Sequence, residues 1–121
     1  MRRIILWSII LESIISDQRV DVVGVNWMQK TIILGECQWT LGPVERSVLV
    51  ELTAKASQIV PPEGTWRVFL LGFARSGWSD GAMAYQAEIA QQPATGRNWR
   101  TVGMRLLDLT ELDHDLAAWS V

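Results

Sequence analysis

Two carboxylates, Asp21 and Glu36, stand inside runs that are otherwise rich in Val and Ile. Aspartate is depleted in strands, and a charge carried into an apolar layer is costly unless it is paired or bound to a metal. Gln38 lies two positions beyond Glu36, so on a strand it shares a face with it. Two carboxylates beside an amide can hold a hard divalent ion through oxygen, with positions left for water and phosphate. Such an ion would activate water and stabilise the charge that builds up in phosphodiester cleavage. The plainer alternative is a half-exposed hairpin with solvated acids.

The elements that must position these residues can be read from pattern. Residues 19–26 and 30–38 form two antiparallel strands, separated by Trp27, Met28 and Gln29. A turn centred on Trp27 and Met28 makes opposed residue numbers total 55, which sets Arg19 against Glu36 and Asp21 against Leu34. In that register Asp21, Glu36 and Gln38 project from one face, with Asp21 a diagonal step from Glu36. Leu41, Gly42 and Pro43 break the strand, and a helix is expected over 43–60, with Val44, Val48, Leu49, Leu52, Ala56 and Ile59 on its apolar stripe. Residues 66–74 read as a buried strand, Ser79 as the cap of a helix running to about Gln92, and 102–109 as a second strand. This is a β-α-β unit with parallel strands. The polar loop 91–100 lies within it, and a short helix over 111–119 closes the chain.

The N-terminal run 2–16 is apolar almost all round, which suits a buried or partner-facing helix and is also compatible with a strand. Its basic start resembles a signal peptide, but Glu12 interrupts it and no small-residue cleavage site follows. It is also too short to span a bilayer, so no membrane is expected. The segment is instead a candidate surface for a homo-oligomer. The 121 residues fit a single domain, 1–121, and the 49% hydrophobic, 20% charged composition is that of a folding chain. Cys37, the only cysteine, cannot form an internal disulfide, which fits a reducing, cytoplasmic setting. A net charge of −2 excludes a strongly basic nucleic-acid binder, so contact with DNA requires a local patch or a partner.

The run VDVVGVNWMQKTIILGECQW resembles the D…ExK core of the PD-(D/E)XK restriction-endonuclease-like superfamily, with Asp21 and Glu36 at its acidic positions. GECQWTLGPVERSVLVELTAKA, followed by VFLLGFARSGWSD, is similar to the nuclease-like domain of unknown function at the C-terminus of archaeal-type AAA ATPases. The likeness runs from about Val20 to the C-terminus. It implies an α/β, restriction-endonuclease-like mixed sheet that opens with an antiparallel hairpin and is flanked by helices. It also implies a Mg²⁺ or Mn²⁺ ion on Asp21 and Glu36, DNA as substrate and an AAA ATPase module as partner. Two departures stand out: Gln38 occupies the lysine position, and only twenty residues precede Asp21 where the superfamily core has a helix and a strand, as in an N-terminally truncated chain. The departures keep a second reading open, a catalytically inactive binding or assembly module on the same fold.

Lys55 lies about 20° from Val44 and Val48 on an ideal helical wheel. It is therefore a candidate for the catalytic lysine that some superfamily members carry on the following helix, against the simpler reading of a flank lysine paired with Glu51. Glu12 is a weaker candidate, for the helix glutamate that some members add to the metal. His114 is expected on a solvated helix face, Cys37 as a small core residue on the face opposite Glu36, and Trp39 as a wall of the site. Residues 97–100, Arg-Asn-Trp-Arg, read as a solvated loop with the charge and aromaticity to touch nucleic acid.

Overall fold

A computed structural model describes residues 8–15 and 18–109, with side chains from Val20 onward. Five strands, β1 (Ser8–Ile15), β2 (Gln18–Asn26), β3 (Thr31–Gln38), β4 (Trp66–Ala74) and β5 (Trp99–Asp108), form one sheet in sequence order. β1, β2 and β3 are antiparallel neighbours, and β3, β4 and β5 are parallel. The two parallel steps are bridged by α1 (Arg46–Ile59) and α2 (Asp80–Gln91), because a parallel connection needs a crossover. The expected α/β class and mixed sheet are therefore present.

Both helices pack on the sheet face that carries Ile32, Leu34, Val68, Leu70 and Leu106. Leu49, Leu52, Ala56 and Ile59, spaced along one side of α1, are all buried there. The other face carries Val22, Ile33, Phe69, Leu71 and Phe73, all half-buried. Among the described residues no helix is long and apolar enough to cross a membrane.

Several expectations change. Residues 8–15 form a strand on β2, not a helix over the sheet. An all-round apolar run fits either element, and hydrogen bonding to the free edge of β2 decided it. The hairpin pairs Asn26 with Thr31 and Val22 with Gly35, so opposed numbers total 57 and the expected register is out by two. The turn is the cause. It holds four residues, because the buried Asn26 side chain accepts a hydrogen bond from Gln29 N at 2.9 Å and Lys30 takes a left-handed φ of 49°. α1 begins at Arg46, not Pro43, because Val44 is drawn out to bridge Trp78, donating its N–H to Gly77 O and accepting from Ser79 N. β5 begins three residues earlier than expected, with Trp99 buried against the core. Ser79 caps α2 as expected, its hydroxyl accepting from Ala82 N at 3.1 Å. The expected helix over 111–119, with His114, lies outside the described residues.

Candidate metal centre

A register shift of two leaves Asp21, Glu36 and Gln38 on one side of the hairpin, because side chains alternate with period two. It also brings the carboxylates closer. The β2–β3 ladder ends at Val22 and Gly35, and extending its register by one level would set Asp21 against Glu36 instead of a diagonal step away. The backbone ladder does not continue there. The Asp21 carboxylate takes over and accepts a hydrogen bond from Cys37 N at 2.8 Å. No sequence signal pointed to this bond, which anchors Asp21 against β3.

Gln38 donates from Nε2 to Glu36 Oε1 at 2.9 Å, a bond between neighbours on one face of β3 that fixes the orientation of the carboxylate. Asp21, Glu36, Cys37, Gln38 and Lys55 together line an open depression of about 250 Å³ at the C-terminal end of β3. Carboxyl ends of strands are where open α/β sheets commonly bind ligands. Lys55 reaches it from the middle of α1, half-buried, on the turn before Ile59. All four candidate residues thus line one hollow, and Lys55 also lines a second one with Glu51.

Cys37 is exposed, not a core residue, because both helices lie on the other face of the sheet. Its thiol pKa is raised, first by partial burial and then by the negative charges of Asp21 and Glu36. A raised pKa leaves little thiolate at neutral pH, so the thiol is a poor nucleophile. Trp39 does not wall the depression. It is 67% exposed and leans on Phe73, with ring centroids 5.7 Å apart. Glu12 lies on a strand, and the flanking pairs Leu11 with Val22 and Ser13 with Val20 put position 12 level with Asp21.

Among the described residues no group of three His, Cys, Asp or Glu side chains converges as a metal cage. The donor set is instead two carboxylates in a polar, solvent-open hollow. That set suits Mg²⁺, which keeps several waters and commonly uses one or two carboxylates together with substrate phosphate. Comparison of the chain with family models, curated proteins and solved structures finds no match in any of the three.

Proposed function

We propose that the chain is a Mg²⁺-dependent, DNA-directed nuclease-like domain of the restriction-endonuclease-like type, working in a cytoplasmic setting beside an AAA ATPase module. The observation that carries this reading is Lys55, which enters from α1 the hollow already lined by Asp21, Glu36 and Gln38. A lysine from the helix would supply the cation that Gln38 cannot.

Asp21 and Glu36 would hold Mg²⁺ or Mn²⁺, which supplies an activated water and a Lewis acid at the phosphate. The remaining work falls to the protein. Cys37 N–H holds the Asp21 carboxylate in place, and the Gln38 amide does the same for Glu36. The Lys55 ammonium offsets negative charge gathering on the phosphate in the transition state, where a fixed charge is worth more than in the ground state.

The test is cleavage of DNA in Mg²⁺ or Mn²⁺ by the wild type and three variants. Glu36→Gln should abolish it, and Lys55→Gln should lower the rate by about 10²–10³, the usual effect of removing a charge-stabilising group. Gln38→Lys in the Lys55→Gln background should restore a large part. Cleavage unaffected by Lys55→Gln would refute the assignment of that residue. The second reading, a silent binding or assembly module, is favoured by Gln38, whose amide is engaged with Glu36. Stabilisation by metal with no cleavage by the wild type or by Gln38→Lys would establish it.

A further inference from the structure

The opposite end of the sheet, where β4 and β5 begin, carries an unbalanced row of cations. Parallel pairing sets Thr31 beside Arg67 and Arg67 beside Arg100. Neighbouring strands lie about 4.8 Å apart. Two arginines thus stand directly opposed on adjacent strands, an arrangement that is destabilising when nothing lies between them. Lys30 adjoins Thr31, Arg97 sits in the loop entering β5, and all four cations are exposed. Among the described residues none of them is in ion-pair contact with a carboxylate. The Arg67 guanidinium donates to the neutral Thr31 Oγ1, at 3.0 Å.

Hydrogen bonds also tie this end together. Asn98 Nδ2 donates to Pro61 O at 2.7 Å and to Gly64 O at 3.0 Å, Trp66 N donates to Asn98 O at 2.8 Å, and Arg67 N donates to Lys30 O at 2.9 Å. Three connections are thereby tied into one surface. Trp27, 58% exposed, is held edge-on to the buried Trp66 ring at 5.3 Å, and the Lys30 ammonium sits 5.5 Å from that same ring. Lys30 thus lies beside a fixed, exposed indole, while Arg67 and Arg100 stand at the same end on the sheet face opposite Trp66. Cations around an exposed ring match a strand of phosphates with unpaired bases, which binds by charge and by stacking.

We propose that this end of the sheet binds single-stranded nucleic acid, with Arg67 and Arg100 on the phosphates, Lys30 and Arg97 flanking them, and Trp27 stacked on a base. β3 runs from Thr31 here to Gln38 at the carboxylates, roughly 23 Å at about 3.3 Å per residue. The surface is therefore separate from the hollow and does not depend on its chemistry. It also answers the net charge of −2, since the cations are concentrated locally.

The test is fluorescence anisotropy of a labelled oligothymidylate in EDTA at low salt. The wild type should bind although no metal is present. Arg67→Gln with Arg100→Gln should weaken binding at least ~10-fold and lower the salt-dependence slope by about 1.4, at ~0.7 for each lost phosphate contact on a single strand. Trp27→Ala should weaken it by about tenfold without changing the slope. Should the arginine pair disturb folding, Lys30→Gln with Arg97→Gln carries the same expectation of a reduced slope. No binding by the wild type would overturn the proposal, as would undiminished binding by folded variants. So would tighter binding to a duplex that is indifferent to Trp27→Ala, or binding confined to anionic phospholipid vesicles.

Discussion

Asp21 has two roles that a pair of substitutions separates. Its carboxylate anchors the end of the β2–β3 ladder through Cys37 N, and its charge shares one hollow with that of Glu36, against which the register extended by one level would set it. Carboxylates opposed across strands, about 5 Å apart in a solvent-like dielectric, repel by roughly 1 kcal/mol. Both Asp21→Asn and Asp21→Ala remove that repulsion, but only asparagine keeps an oxygen for the Cys37 N–H. The difference between the two variants therefore isolates the hydrogen bond, worth about 1 kcal/mol at this partly exposed position. In EDTA, Asp21→Ala should melt about 4 °C below Asp21→Asn, while Asp21→Asn stays close to the wild type because lost repulsion and a weaker bond offset each other. Saturating Mg²⁺ then distinguishes the second role. At a hundred times its Kd the ion should stabilise the wild type by about 2.7 kcal/mol, and it should do far less for either variant. The measurement is the thermal midpoint by circular dichroism with and without Mg²⁺. An equal Mg²⁺ shift in Asp21→Asn would refute Asp21 as a ligand, and identical midpoints for the two variants in EDTA would refute the anchoring bond.

Two further outcomes follow from neighbouring residues. The Cys37 thiol is held above its ordinary pKa by burial and by Asp21 and Glu36, so in EDTA its alkylation should be slow at neutral pH and speed up as pH rises through the raised value. Glu36→Gln should shift that profile to lower pH, and an unchanged iodoacetamide rate profile would mean that the carboxylate charge does not reach the thiol. Gly72 pairs with Glu36 across β3 and β4, and a Cβ built there would stand 2.6 Å from Trp78 Cζ2 and 3.0 Å from Leu106 Cδ2. Trp78 is pinned by the bond from its Nε1 to Leu107 O at 3.0 Å, so Gly72→Ala should cost about 1–3 kcal/mol of overpacking. A denaturation midpoint equal to that of the wild type would show that the indole moves aside freely.

Much of this molecule is written in local pattern. The β-branched runs and the break near residues 27–30 define the hairpin, the apolar stripe of Leu49, Leu52, Ala56 and Ile59 defines α1, and Ser79 defines the start of α2. The shared face of Glu36 and Gln38 is equally local, because alternation along a strand needs no knowledge of its partners. The hairpin register was two residues harder to read, since it turned on the Asn26 side chain and the left-handed Lys30. Residues 8–15 offered no period to separate helix from strand, and only pairing with β2 resolved them. Cys37 became exposed because both helices settled on the opposite face, a choice no strand makes alone. Lys55 and Arg67 make the same point at the two ends of the sheet. An amphipathic wheel gives an angle around a helix but not the line along which the helix crosses its sheet, so only docking of α1 brought Lys55 to the carboxylates. A strand sequence likewise gives a face but not its neighbour, so Arg67 and Arg100, 33 positions apart in the chain, became a pair only through the parallel register of β4 and β5.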